Sequence, residues 1–202
     1  MDNITPRLTR IMVATSNLHS AAQDFELLLG FPPDRCSYDG TRRAVFQLQN
    51  AALEVIAPDS PDSGSDALTV HLDSHGEGLF GLAFGVDKLD AFAAYLQHCG
   101  VVVATPVAGG DSAGSAQGDR RELLLPLRRS RDVRILVEEN DTSPQRSAVN
   151  ATAHAINSVD HVVINSSNSD HAADFYGKLL GIRLALRLNM PQWGGDMLFF
   201  RS

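Results

Sequence analysis

The sequence predicts an α+β fold built from repeated modules of the order β-α-β-β. The main observation is a repeat, because Ser158 to Ile182 resembles Leu8 to Phe31 when the two stretches are aligned without a gap. A more divergent copy lies between them, at Leu79 to Val103. Strand-like runs follow each of the first two copies, and these runs supply the remaining strands of the module.

Each copy carries the signals of a strand, a helix and a helix stop, in that order. The apolar, β-branched runs "RIMVAT" and "HVVINS" predict strands. Polar residues that can accept hydrogen bonds from a helix's first amides follow, and Gly30 or Gly181 suits the left-handed conformation that ends a helix. The matched positions are Arg10 with His161, Ser16-Asn17 with Ser167-Asn168, Ala21-Ala22 with Ala172-Ala173, Phe25 with Tyr176, and Leu28-Leu29-Gly30 with Leu179-Leu180-Gly181.

The runs between the copies predict further strands and the boundaries of the modules. "DRCSY", "RRAVFQLQ" and "AALEVIAP" follow the first copy, and "RELLLPLRR" and "VRILVEE" follow the second. We expect a domain of two modules over 1–141, a linker over 142–156 and an incomplete third module over 157–202. The segment "AGGDSAGSAQGD" lacks the spacing of a phosphate-binding loop and indicates a flexible flap.

Composition and charge exclude several classes of partner. The net charge is -7 and the pI is about 5.4, which argues against nucleic acids and anionic membranes, since both recruit clustered Lys and Arg. The basic run at Arg128, Arg129, Arg131 and Arg134 is interpreted as a solvated turn and strand face. No apolar run reaches the roughly 18 residues of a membrane span. The first residues lack the apolar core of a signal peptide, so we expect a cytoplasmic location.

The cysteines and most histidines predict no chemistry. Cys36 and Cys99 are too few for a disulfide framework or a cysteine-based zinc site, and we expect reduced thiols. His71 and His75 lie in "VHLDSHGEG", whose loop-like composition predicts a surface loop rather than a metal site.

The strand opening on "DHVV", the helix containing "ADFYGKLLG" and the hairpin strands resemble the βαβββ modules of the vicinal oxygen chelate superfamily. That superfamily includes glyoxalase I, bleomycin-resistance proteins and extradiol dioxygenases. The resemblance implies that two modules pair into a curved, cup-like mixed sheet with helices outside. It also implies a divalent-metal site inside the cup, with a His or Gln on each first strand and a Glu on a last strand.

In the first two modules, the positions that this resemblance assigns to metal ligands hold mostly unsuitable residues. The first strands offer Arg10, which stays protonated, and Gly81, which has no side chain. The last strands offer Glu54 and Leu136, with Glu138 two residues further on. We therefore expect no metal in residues 1–141. An Arg10–Glu54 ion pair across the cup is the predicted replacement, as the anchor of a bound carboxylate or phosphate. The alternatives are a purely structural pair or two unrelated exposed side chains.

The third module has His161 at the position that Arg10 occupies in the first. In the two-domain extradiol dioxygenases the carboxyl-terminal modules hold the metal, so the resemblance implies that His161 is a first metal ligand. The metal would be iron, manganese, zinc or nickel. The first hypothesis is therefore the front part of a two-domain metal-dependent lyase, isomerase or extradiol-type dioxygenase. A hydrogen-bonded strand histidine is the alternative for His161.

The second hypothesis is a metal-free module similar to bleomycin-resistance proteins. Its cup would bind a small organic molecule between Arg10, Glu54, Trp193 or the loop 108–118, without catalysis. Trp193 is also readily explained as an aromatic residue that covers a sheet edge. After "MLFFRS" the first module's pattern would continue with another strand, so we expect either truncation or strand exchange with a second copy, which would make a homodimer.

Overall fold

The computed structural model describes residues 6–38, 40–59, 66–103, 107–108, 121–126, 133–140 and 155–201. The elements in these residues, in chain order, are β1 (Arg7–Ala14), α1 (Leu18–Leu29), β2 (Asp34–Tyr38), β3 (Thr41–Gln47), β4 (Ala52–Pro58), α2 (Asp66–His75), β5 (Gly78–Val86), α3 (Leu89–His98), β6 (Val107–Ala108), β7 (Arg121–Leu124), β8 (Arg134–Glu139), α4 (Ser169–Ala172, continued by a π-helix over Ala173–Leu179), β9 (Arg183–Met190), a 3₁₀ turn (Pro191–Trp193) and β10 (Gly195–Arg201).

Eight strands form one mixed sheet in the order β2-β3-β4-β1-β5-β8-β7-β6. The two halves of this order are related by a near symmetry. The first strand of each module, β1 or β5, pairs in parallel with the last strand of the same module, β4 or β8, and β1 and β5 pair antiparallel at the centre. The predicted α+β fold of paired βαβββ modules is confirmed.

The first module follows its sequence signals closely. Asn17 caps α1, since its side-chain oxygen accepts a hydrogen bond from the amide of Ser20 at 3.2 Å. Gly30 ends the helix with a φ of 84°, which a side chain would disfavour. Helix α1 packs on the outer face of β3 and β4 through Ala22 and Leu29, which are both buried. The runs predicted to be strands are β2, β3 and β4.

Helix α2, which lies between β4 and β5, differs from the prediction. The segment holding His71 and His75 is not a surface loop, because the chain is helical over Asp66–His75. Leu68 and Leu72 are four residues apart, so they lie on one face of the helix and pack against the inner face of the sheet. Tertiary packing of this short apolar stripe outweighs a loop-like composition.

The third copy reproduces the predicted helix but not the predicted strand. Asn168 caps α4 by accepting from the amide of His171 at 2.8 Å, and Gly181 has a φ of 75°. Residues 155–166 form no strand, so the prediction for "HVVINS" was wrong. Part of this segment bonds to the first module instead: the amide of Gln49 donates to the carbonyl of Asn157 at 2.7 Å, and Asn50 exchanges two hydrogen bonds with the backbone of Val159.

The helix of the third copy is packed on the second module. Phe175, Leu180 and Ile182 are buried in one apolar cluster with residues of β5, α3 and β8. The hydroxyl of Tyr95 in α3 donates to the carbonyl of Lys178 at 2.9 Å. The proposed division into 1–141, 142–156 and 157–202 stays a prediction. Of the described helices, none is long and apolar enough to cross a membrane.

Candidate functional site

The inner face of the curved sheet encloses a cavity of about 80 Å³ that α2 helps to cover. Its walls come from both modules, because β1 and β5 lie side by side at the centre of the sheet. The apolar part of the wall is formed by Met12, Ile56, Leu68, Phe80 and Leu136. The polar part is formed by Arg10, Thr41, Arg43, Glu122 and Arg134.

Arg10 lies at the centre of the polar wall and is only 3% exposed. Its Nη1 is 3.4 Å from Oε1 of Glu54, and its Nη2 donates to Oε2 of Glu122 at 3.0 Å. The same Nη2 is 2.6 Å from Oε2 of Glu138. One guanidinium thus lies against carboxylates from β4, β7 and β8.

A second arginine completes this cluster. Arg43 in β3 donates from Nη1 to Oε2 of Glu54 at 2.9 Å, and from Nε to the hydroxyl of Thr41 at 3.0 Å. Glu54 therefore bridges Arg10 and Arg43. Buried charges are stable only when they are paired and hydrogen-bonded, and here the pairs join five strands, β1, β3, β4, β7 and β8.

The alternation of side chains along each strand explains why these charges meet. Arg10 and Met12 are two residues apart on β1 and share the inner face of the sheet. Met12 lies opposite Glu54 on β4, and Glu122 on β7 lies opposite Glu138 on β8. Four charged residues on four strands are thereby brought together beside one cavity, whose wall includes Arg10 and Glu122.

Arg134 forms the wall on the side of the second module. Its guanidinium carbon lies 5.5 Å from the centre of the Phe80 ring, within the range of a cation–π contact. The side chain is half-buried rather than part of a solvated face, so that prediction was wrong for Arg134. Arg128, Arg129 and Arg131 lie outside the described residues.

Of the four residues at the metal-ligand positions, Glu54 has a side chain that suits a divalent metal and the other three do not. Arg10 brings a permanent positive charge where an imidazole or amide would be needed. Gly81 has no room for a ligand, because a Cβ added there would lie 2.6 Å from the carbonyl oxygen of Arg134 and 3.0 Å from Cε of Met12. Leu136 has an apolar side chain. Across the described ranges, no group of three or more His, Cys, Asp and Glu side chains is arranged to hold a metal ion.

Of the residues predicted from the sequence, the structure brings Arg10 and Glu54 together and leaves the others apart. The side chain of His161 is 72% exposed, and its Nδ1 is 2.8 Å from Oδ2 of Asp160. Trp193 is 68% exposed in the turn between β9 and β10, and it is not part of the cavity wall. Most of the loop 108–118 lies outside the described residues. The roles of these residues in ligand or metal binding stay predictions.

The sequence interpretation missed Arg43 and Glu122 and gave Glu138 no role. A signal was present for Arg43 and Glu138, since each lies two residues from a residue of the cavity wall in the same strand, Thr41 or Leu136. Period-two alternation marks such residues as inward-facing even when they are charged. What it does not provide is the identity of their partners, which depends on the register of non-adjacent strands.

Comparison with known proteins identifies the class to which this fold and cavity belong. The model of the glyoxalase-like domain family matches residues 11–158, so the chain belongs to that family. The resemblance to the vicinal oxygen chelate superfamily is confirmed. Among curated proteins, none matches this chain.

Solved structures agree with this assignment at the level of the fold. The methylmalonyl-CoA epimerase of Streptomyces coelicolor in complex with 2-nitronate-propionyl-CoA is 23% identical, covers 68% of this chain and 98% of its own, and has a TM-score of 0.55. The epimerase of Mycobacterium tuberculosis is 21% identical over 70% and 92%, with a TM-score of 0.58. A hypothetical protein of Bacillus halodurans is 18% identical over 69% and 98%, with a TM-score of 0.58. At these identities the likeness shows the fold alone.

Proposed function

We propose that the two-module cup is a metal-free binding site for a small organic acid, with the Arg10–Glu54 pair at its polar end. The observation that carries this proposal is the cavity itself, whose wall combines three arginines with apolar side chains. Such a wall suits a molecule that has a carboxylate at one end and a short hydrocarbon part at the other.

The cavity volume limits the size of the ligand. Pockets for drug-sized molecules have about 300–1,000 Å³, whereas this cavity has about 80 Å³. It therefore suits a small acid, or the acidic end of a larger molecule. One structural relative is described as a methylmalonyl-CoA epimerase in complex with methylmalonyl-CoA and NH4+, and the acyl part of that ligand has this character.

Arg134 is the side chain that we assign to the incoming carboxylate. It is half-buried and lines the cavity on the side of the second module. A guanidinium can hold a carboxylate through two parallel hydrogen bonds, and Phe80 beside it supplies an apolar surface for the rest of the ligand.

The proposal is tested by titrating the protein with methylmalonate and with benzoate while amide and methyl NMR signals are followed. Perturbed signals are expected at Met12, Phe80 and Leu136, and Arg134→Gln should weaken binding about tenfold or more, as expected when a charge-assisted hydrogen bond of roughly 1.5–3 kcal/mol is lost. Arg42→Gln is the matched control, because Arg42 is an exposed arginine that pairs with Asp59. Absence of saturable shifts in the cavity with either acid would contradict the proposal.

The second candidate is a two-domain metal-dependent lyase, isomerase or extradiol-type dioxygenase in which His161 is the first ligand of the metal. One observation favours it: Nδ1 of His161 lies against the carboxylate of Asp160, and metal-binding histidines commonly place their second nitrogen against such an acceptor. Metal analysis of the purified protein provides the test. Stoichiometric iron, manganese, zinc or nickel that is lost in His161→Ala would favour this candidate over the first.

We further propose that the third copy mediates a homodimer. The hairpin of β9 and β10 is a separate two-stranded sheet that pairs with no further strand among the described residues, and unpaired strand edges are a template for pairing with another chain. Leu184, Leu186 and Leu188 alternate along β9 and are 38–47% exposed, which gives the hairpin an apolar stripe. Sedimentation should show a dimer that dissociates in Leu186→Asp, and a monomeric wild-type protein would contradict this proposal.

A further inference from the structure

The centre of the cup holds a positive charge that belongs to the chain itself. The two ends of the Arg10 guanidinium lie 2.6–3.4 Å from oxygens of Glu54, Glu122 and Glu138. These carboxylates come from three different strands and approach one group. We infer that Arg10 is a built-in replacement for the divalent metal of this fold, and that removing it converts the cup into a metal site.

The charges of the cluster support this inference. Arg10 is the one positive charge that Glu54, Glu122 and Glu138 all approach, and Arg43 pairs with Glu54 as well. A divalent ion at the position of the Arg10 guanidinium would bring positive charge to the same three carboxylates. Arg10 therefore supplies from the chain itself the central positive charge that a bound divalent cation would supply.

The burial of the carboxylates indicates that they require a positive charge among them. Glu54 and Glu138 are only 5% and 4% exposed, and an uncompensated carboxylate is costly at that depth. Without a cation among them, they would have to be protonated or move toward water. The inference rests on the metal-free character of the proposed function and deepens it, but it does not require that an organic acid binds.

Arg10→His is the decisive substitution. It replaces the guanidinium with an imidazole that can be a metal ligand and leaves the three carboxylates in place. Imidazole and carboxylate donors together suit Mn²⁺. Oxygens that surround a guanidinium are too far apart for direct coordination, so binding would require the glutamate side chains to move inward by a rotamer change.

The experiment is a titration with Mn²⁺, followed by electron paramagnetic resonance and calorimetry, on wild type, R10H, the double variant R10H/E138Q and the control R42H. We expect R10H to bind one Mn²⁺, and R10H/E138Q to bind it at least about 10–100-fold more weakly, since the loss of even an outer-shell partner of a metal ligand costs that much. Wild type and R42H should bind none in the cup. Folded R10H that binds Mn²⁺ no better than R42H would overturn the inference, and so would wild-type binding that E138Q abolishes.

A second pair of variants decides the question if R10H does not fold. Arg10→Lys keeps a positive charge at the centre, whereas Arg10→Met keeps the length of the side chain and removes the charge. The inference expects R10K to remain folded at a temperature at which R10M is unfolded, as measured by circular dichroism. Equal melting temperatures, or loss of the fold in both, would overturn it. Failure of methylmalonate and benzoate to bind would refute the proposed function and leave the Mn²⁺ result unaffected.

Discussion

The first and third copies of the repeat begin alike and end in different surroundings. In both, an asparagine caps a helix and a glycine with positive φ ends it: Asn17 with Gly30, and Asn168 with Gly181. The segments before the helices differ, because β1 lies at the centre of an eight-stranded sheet whereas residues 155–166 form no strand. Capping and helix stops depend on neighbouring residues, but a strand depends on partners elsewhere in the chain.

The same difference decides what the matched polar residues can do. Arg10 on β1 is buried among three carboxylates from other strands, whereas the side chain of His161 is 72% exposed and has Asp160 beside it. Equivalent positions in a repeat therefore acquire different chemistry from the strands that surround them. A functional role can be inferred from one copy to another only when the surrounding strands match as well as the residue itself.

The largest effect is expected for truncation of Arg10, and truncation of His161 at the matched position provides the comparison. Arg10→Ala should lower the free energy of unfolding by about 3–5 kcal/mol, because it leaves buried carboxylates without their main partner. His161→Ala should change it by less than about 0.5 kcal/mol, as is usual for an exposed side chain. Urea unfolding measures both. Similar losses in the two variants would show that the exposed segment contributes to stability as much as the cup does.

An intermediate effect is expected at Tyr176, which occupies the position of Phe25 in the first copy. Its hydroxyl is buried with no hydrogen-bond partner among the described residues, and burial raises the pKa of Tyr176 to about 12. Tyr176→Phe should therefore stabilise the fold by about 1 kcal/mol, since it removes an unsatisfied polar group. The control is Tyr95→Phe, which removes the hydrogen bond to Lys178 and should destabilise by about 0.5–1.5 kcal/mol. A lower melting temperature for Tyr176→Phe than for the wild-type protein would contradict this prediction.

The smallest effect is a pH dependence confined to the third copy. Hydrogen bonds from Asn189, Arg187 and Ser169 lower the pKa of Asp196 to about 2 from its ordinary 3.8. Because the pKa is lower in the folded state, this stabilisation is complete above the unfolded value and is lost as the pH falls from about 4 to about 2.

Hydrogen exchange of the hairpin amides against those of β3 and β4 measures this dependence. Helix α1 packs on β3 and β4 through apolar contacts, so those strands should not share the dependence on Asp196. Asp196→Asn should abolish the change in the hairpin. Equal acid sensitivity of both regions, or a hairpin response that persists in Asp196→Asn, would contradict the assignment.

Local sequence signals were enough to predict the modules, the capped helices and the strands β2, β3 and β4. The Arg10–Glu54 pair was predicted because both residues stand at positions that the resemblance marks as inward-facing. Glu122 was missed because its contact with Arg10 depends on the order β1-β5-β8-β7, which places it three strands away. Helix α2 was mistaken for a loop because its stability comes from packing on the sheet rather than from its composition.

The close approach of β8 to Gly81 limits which substitutions the cup can accept at that position. A Cβ at position 81 would lie 2.6 Å from the carbonyl oxygen of Arg134, so even an alanine there requires the neighbouring backbone to shift. No single replacement at that position can provide a coordinating side chain while β5 and β8 keep their spacing. Arg10 can be replaced by a metal-binding side chain, whereas Gly81 has no space for one. A metal site engineered into this protein would therefore take its ligands unequally from the two modules.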